Sequence, residues 1–299
     1  KATLRFTATL DLLERFNRLT VQEVFWQVRD YQWQLEQPAQ IDLYADAVLL
    51  HRLNLIGRSD AQGGRISLQG LLSALPSDTA YVVLQGISLD GLLEATYEVP
   101  WLGGQLNGAL SFTGVLGAPQ LAGYLRVDQL RLKEHLLGTL SLVSYYMPGS
   151  PLVALDAQLM PDTTLPAANQ LRLRGTLQLP SATSAGALNL RLETAHAEAF
   201  FFEYIFPDLI ANVQGYFSGS GRITGTFRRP IFEAAMQLHA GAFDIPQFNL
   251  HYTVEGPVRV DREGIILENV QLRDPTGGRA QVQGRINFNE YRFFSFGLT

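Results

Sequence analysis

Along most of the chain apolar and polar residues alternate with a period of two, the pattern of strands that show one face to water and one to an apolar environment. Residues 63–70, GGRISLQG, set Ile66 and Leu68 on one side and Arg65, Ser67 and Gln69 on the other; residues 277–284, GGRAQVQG, do the same with Ala280 and Val282. Shorter runs of the same kind recur at 171–179, 187–192, 256–260 and 264–272, between Gly, Pro, Asn and Asp breakers. Such spacing predicts consecutive antiparallel strands, an all-β meander with few short helices. Two places depart from it. Residues 10–19, LDLLERFNRL, carry Leu12, Leu13, Phe16 and Leu19 at helical spacing, which predicts a short helix. The aromatic run 200–206, ahead of Pro207, reads either as a short helix capping the sheet or as a contact for a membrane surface or partner.

The alternation sits inside a longer repeat. Residues 38–70 and 257–284 both read proline, strand, acidic turn, strand, GGR, and a strand ending in Gln-Gly, and a weaker copy, 151–175, closes in LRLRG. Gly70, Gly175 and Gly284 mark one position, separated by 105 (175 minus 70) and 109 (284 minus 175) residues. TGVLGAP at 113–119 and TGTFRRP at 224–230 lie 111 residues apart (224 minus 113). The chain therefore divides into a partial first repeat, 1–70, a second, 71–175, and a third, 176–299, expected to form one continuous elongated sheet. At usual strand lengths each full repeat would hold roughly eight strands and the chain roughly 25.

In such a meander alternate residues of every strand share a face, so a pattern held in register draws an apolar stripe across the strands. Curled inward, that face becomes a channel. The clearest alternations nominate its lining: Leu53, Leu55, Ile66 and Leu68 near one end of the chain, and Val258, Val260, Val270, Leu272 and Val282 near the other. The competing use of such a stripe is closure against a second sheet, as in a sandwich. Few segments here could cover so large a sheet as helices, and no Ser/Gly- or Pro-rich linker separates the repeats into compact domains.

Bulk properties remove other classes. The 299 residues are 46% hydrophobic, typical of a folded chain, and the net charge of −5 offers no electrostatic reason to bind nucleic acid. Cysteine is absent, which excludes disulfides and thiolate metal sites without settling the compartment. The most apolar stretch, 199–213, is broken by Glu203, Pro207 and Asp208, so no segment reads as a transmembrane helix. Both ends stop inside strand-like alternation, and the chain reads as an internal segment whose signal or anchor would lie outside it.

Chemistry-bearing constellations are scarce. His51, His135, His196, His239 and His251 show no metal-ligand spacing and are expected at surfaces or turns. Gly215, Gly219, Gly221 and Gly225 lack the order of a phosphate loop and fit strand bends. Asp42 and Asp261 each follow a repeat proline by four residues and are expected to brace turns, rather than to act as paired carboxylates or calcium ligands. Arg222, Arg228 and Arg229 form a basic spot that could meet lipid phosphate but reads better as solvated strand ends; Trp26, Trp33 and Trp101 need no cofactor to explain them. With no G-x-S-x-G and no thiol, the chain reads as non-enzymatic, without cofactor or metal.

Together, the glycine-punctuated strands, the recurring T-G-x-x-x-x-P step and the proline-strand-turn-strand-GGR-strand module resemble the TamB and AsmA-like family over essentially the whole chain, closer to TamB because the units recur in tandem. The resemblance implies a long curved antiparallel sheet forming an open, taco-like half-pipe with an apolar concave groove. It also implies a periplasmic location in a diderm bacterium, with an inner-membrane anchor outside this segment, and transport of phospholipid or another acyl-chain lipid toward the outer membrane. An Omp85-type outer-membrane β-barrel would then be a partner through another region. Two other functions stay open: a scaffold that assists outer-membrane β-barrel assembly by strand-edge pairing, and, less well supported, a secreted glycan-binding sandwich.

Overall fold

The structure, a computed structural model, describes residues 2–28, 31–58, 63–90, 102–147, 150–161, 170–181, 183–200, 203, 210–289 and 293–298. They form nineteen strands: β1 (Ala2–Leu12), β2 (Asn17–Val28), β3 (Tyr31–Leu35), β4 (Ala39–Leu43), β5 (Ala47–Arg58), β6 (Gly64–Ser73), β7 (Thr79–Ser88), β8 (Leu102–Thr113), β9 (Gln120–Leu132), β10 (His135–Tyr146), β11 (Leu152–Met160), β12 (Gln170–Gln178), β13 (Ala187–Glu198), β14 (Ala211–Thr226), β15 (Arg229–Ile245), β16 (Leu250–Val260), β17 (Gly264–Arg273), β18 (Arg279–Asn289) and β19 (Phe293–Leu298). A single 3₁₀ turn, Pro246–Phe248, joins β15 to β16. The fold is all-β and antiparallel, as the alternation predicts.

The strands are fewer and longer than roughly 25 runs of usual length would require. β14 and β15 reach 16 and 17 residues. The reason lies in glycine: Gly215, Gly219, Gly221 and Gly225 sit inside β14, bending the strand as expected rather than ending it. The two T-G-x-x-x-x-P steps are hairpin turns, one between β8 and β9 and the other between β14 and β15. Six strands, β9 to β14, separate them.

Two compact units divide the chain: residues 1–157 with 176–186, and residues 158–175 with 187–299. In the first, β1 pairs with β2, and β2 with both β3 and β4, which share one place in the ladder and both pair on their other side with β5. From β5 the ladder runs stepwise to β10. In the second unit it runs stepwise from β13 to β19.

The helix expected over residues 10–19 is a β-hairpin. β1 and β2 face each other with Leu10 opposite Leu19, Asp11 opposite Arg18 and Leu12 opposite Asn17. The turn closes with the Leu13 N–H donating to the Phe16 carbonyl at 3.1 Å. Leu12, Leu13, Phe16 and Leu19 straddle that turn, so their helix-like spacing is the sum of two strand ends and a reversal. The aromatic run 200–206 lies largely outside the described residues.

Bulges interrupt most ladders. In the second unit the register shifts between Thr194 and Ala197, Gln214 and Tyr216, Leu238 and Gly241, Glu255 and Val258, and Leu267 and Val270, one or more in each of five successive strands. Ala240 and Asn269 take left-handed φ values of 46° and 57° at two of them. A bulge bends its strand and steepens the local twist. It also shifts the parity of the alternation: Leu267 and Val270 are three apart yet share a face.

Glycine permits the closest main-chain approach. The repeat-marking Gly175 has φ +152°, and a Cβ there would sit 2.1 Å from the Asn189 carbonyl oxygen. Gly70 repeats this with φ +119°, and Gly284 lies in register between Leu267 and Leu298. Gly277, in the turn before β18, has φ +92°, and a Cβ there would have open space for 4 Å around it. Urea unfolding should therefore separate them: Gly175→Ala loses on the order of 3 kcal/mol, from main-chain strain plus overlap, whereas Gly277→Ala loses about 1–2 kcal/mol, from strain alone. Equal losses would show that the strand contact carries no cost.

Candidate functional site

The ladders settle which side chains share a face. In the first unit one row runs Leu10, Leu19, Ile41, Leu50, Gly70, Ala80, Phe112, Leu121 across β1, β2, β4, β5, β6, β7, β8 and β9. A second runs Leu53, Leu68, Val82, Leu110, Gly123, Ser144, and a third Leu55, Ile66, Leu84, Gly108, Leu125, Leu142. The four candidates of this unit thus lie side by side on one apolar face. Leu55 and Ile66 pack against a buried cluster of Tyr31, Trp33 and Ile87. Trp33, 4% exposed, lies against Gly57, where a Cβ would come within 3.0 Å of the indole.

The second unit repeats the arrangement. One row reads Thr194, Gly219, Met236, Val258, Leu267, Gly284, and the next Leu192, Gly221, Ala234, Val260, Ile265, Ile286. Beyond the bulge, Val254 faces Leu272 and Val270 faces Val282. The opposite face carries Arg191, Arg222, Glu233, Arg259 and Arg285, with Arg259 3.0 Å from Glu268 and Arg285 2.8 Å from Asp261. The two faces are thus chemically opposite across the same six strands, β13 to β18.

On the apolar face of this unit lies a cavity of about 270 Å³ reached by β14 to β18. Val258, Val270, Leu272 and Val282 line it; Val260 does not, and packs instead against the adjoining cluster of Ala199, Phe217, Leu238, Val258 and Ile265. Among the described lining residues Gln214 alone is polar. The structure adds Val213, Phe217, Phe243, Ile265, Leu267 and Ile286 to the lining. Ile265 and Leu267 escape a period-two reading because the bulge at Asn269 puts them out of phase with Val270 and Leu272; Phe217 is hidden among glycines and serines.

Elsewhere polar groups are engaged locally. His51 Nε2 lies 2.9 Å from Asp42 Oδ2, His251 Nδ1 2.6 Å from Asp244 Oδ1, and His239 Nε2 2.7 Å from Ser218 Oγ. His196 and His239 both stack on Tyr216, with ring centroids 4.0 and 4.8 Å away. Among the described residues no three His, Asp or Glu side chains gather as a metal site. Arg222, Arg228 and Arg229 are exposed, the last two at the β14–β15 turn. Trp26 faces Trp33 across β2 and β3, and Trp101 is outside the described residues.

The two repeat-related aspartates have different roles. Asp261 braces the turn between β16 and β17 as expected, accepting from the N–H groups of Glu263 (2.8 Å) and Gly264 (3.0 Å). Burial opposes its ionisation, but those N–H groups and the Arg285 guanidinium outweigh it and hold the carboxyl below its usual range. Asp42 braces no turn. It lies within β4, 2% exposed, where Arg18 Nε and Nη2 donate to its two oxygens at 2.7 and 2.8 Å. The correction follows from strand length: β4 continues through Asp42 to Leu43, and the turn follows.

Arg18 above all, helped by His51, outweighs burial and holds the Asp42 carboxyl down at about 2. A depressed carboxylate stabilises the fold fully above its unfolded value near 4 and loses that contribution as pH falls toward 2. Asp42→Asn should therefore cost on the order of 2 kcal/mol at neutral pH, and the wild-type advantage should vanish between about pH 4 and pH 2. Urea midpoints of both proteins across that range check this; a gap independent of pH would assign the effect to packing.

In comparisons with known proteins, no family model, no curated protein and no solved structure matches this chain. What remains to carry a functional reading is the chemistry of the two faces of the sheet.

Proposed function

We propose that this chain is a non-enzymatic, lipid-carrying β-groove of a cell envelope, built like the TamB and AsmA-like proteins it resembles, and that its apolar face holds the acyl chains of phospholipid in transit through a periplasm. The observation that carries the reading is the cavity on the second unit's sheet, lined almost wholly by apolar side chains from five neighbouring strands. An acyl chain costs about 0.8 kcal/mol per CH₂ to expose to water. A carrier must cover tails along its length, and apolar rows that pass from strand to strand beyond the cavity do this where a single pocket would not. Headgroups need no dedicated site, since they can stay in water at an open edge. The polar face, with its paired arginines and acids, suits contact with solvent.

Native mass spectrometry with lipid extraction on the purified chain tests the proposal directly. Phospholipid should co-purify. Val270→Asp, which puts a charge on the apolar face, and Val282→Trp, which fills the cavity without adding charge, should each lower bound lipid by about tenfold or more. Gln271→Asp, one residue along β17 but on the polar face, should leave it unchanged; circular dichroism reports folding of all three. A folded, lipid-free wild type would sink the conduit and favour the assembly scaffold. Equal lipid in Val270→Asp and wild type would remove this face from the path.

A further inference from the structure

We infer that the polar face of the second unit carries a saccharide-binding cleft, built where the bulges of β15, β16 and β17 come together. A second cavity, of about 710 Å³, lies there, bounded by residues of β14 to β17. Small-molecule sites span about 300–1,000 Å³. Register shifts between Leu238 and Gly241, Glu255 and Val258, and Leu267 and Val270 set the irregular residues of three successive strands next to one another. Bulges bend a strand and re-aim its side chains. Of the residues lining the cavity, Ala240, Gly241, Ala242 and Gly256 are small and leave room.

The polar side chains define the ligand. Gln237, Thr253, Glu255, Asn269, Gln271 and Arg273 all line the cavity, and the ladder sets Glu255 opposite Gln271 and Thr253 opposite Arg273. Among the described residues, no hydrogen bond or ion pair engages the side chains of Thr253, Glu255 or Arg273. That sets them apart on this face, where Arg259 is paired with Glu268, Arg285 with Asp261 and His251 with Asp244. Glu255 and Arg273 are diagonal neighbours across β16 and β17, within reach of each other, yet no ion pair joins them and both heads face a ligand unspent. Their formal charges cancel, and His251, which also lines the cavity, already has Asp244. The cleft therefore holds no net charge to draw in an ion. It offers a carboxylate that only accepts, a guanidinium that only donates, and amides and a hydroxyl that do both. The ligand that answers all of them is uncharged and carries closely spaced groups that each donate and accept. Saccharide hydroxyls have that chemistry. An acyl chain has none of it, and a phosphate would meet Glu255 acid to acid. Gln214, Ala242 and Val254 border both this cavity and the apolar one, but Glu255 and Arg273 line this one alone.

Isothermal titration calorimetry on the purified chain tests this, with chitotetraose and maltotetraose as neutral probes and glucose 6-phosphate as an anionic one. At least one neutral probe should bind, with an affinity insensitive to salt because no net charge is neutralised. Glu255→Ala and Arg273→Ala should each weaken that binding by about tenfold or more, the loss of a hydrogen bond to a charged group. Glu233→Ala, on the same face but outside the cavity, should leave it unchanged. Glu255 and Arg273 are exposed, and circular dichroism confirms that each variant is folded. Val282→Trp, which fills the apolar cavity, should bind the saccharide as wild type does. No binding of either neutral probe, tighter binding of glucose 6-phosphate than of both, or wild-type affinity in both the Glu255 and Arg273 variants would each overturn the inference.

Discussion

A strand that bends while keeping one face apolar must break its own ladder, and the structure depends on where it does so. Regular pleating sends successive side chains to opposite faces without exception, so a bend made by an extra residue would turn the rest of the strand inside out unless the sequence changed phase with it. Here it does. Leu267 and Val270, three apart, flank the bulge of β17, as Leu50 and Leu53 flank that of β5, and each pair lands on the same face. Cavity and apolar rows both follow from this matched change of phase.

Glycine serves the same end by another route. At Gly70 and Gly175 the neighbouring strand's carbonyl occupies the space a side chain would need. Rows such as Leu53, Leu68, Val82, Leu110, Gly123 thin out where glycine takes a place among the large residues, so the apolar face is relieved as well as continuous. The polar face is held by charge. Arg18 clamps the buried Asp42, and Arg285 clamps Asp261 at a turn. Arg18 of β2 reaches β4 and Arg285 of β18 reaches the turn between β16 and β17, so these pairs tie the ladder laterally where side chains on the apolar face only pack.

Much of this is legible in residue order, because period two is a strong signal when one face is wet. Alternation alone places Leu53 and Leu68, or Val270 and Val282, on a common face, and the structure sets each pair directly opposite. Where residue order misleads, the causes are physical. Residues 10–19 mimic a helix because a tight reversal brings apolar strand ends to helical spacing. Counting strands at usual lengths gives too many, because strands here run on through their glycines, as β14 does through four of them. Ile265, Leu267 and Phe217 escape notice because a bulge changes phase without leaving a distinctive residue at the point of change; asparagine at 269 is the only hint. Asp42 reads as a turn residue because a turn aspartate and a strand aspartate with a distant arginine look identical locally. The resemblance to TamB-like proteins rests on motifs that the structure renders as hairpin turns and close strand contacts, and the lipid reading is a proposal.

The stepwise ladder has a consequence for how such a chain reaches its native state. From β5 to β10, and again from β13 to β19, each strand pairs with the one made just before it. Contacts are therefore short-range along the chain for a β-protein, and loop-closure entropy is small at every step. A growing sheet of this kind offers its newest edge to the next segment to arrive, so it can lengthen strand by strand as the polypeptide is delivered, end first, without waiting for distant residues. The exception is the place that β3 and β4 share between β2 and β5, where one ladder position must be filled by two short segments before the next strand can add. That junction is the slow step to expect in assembly.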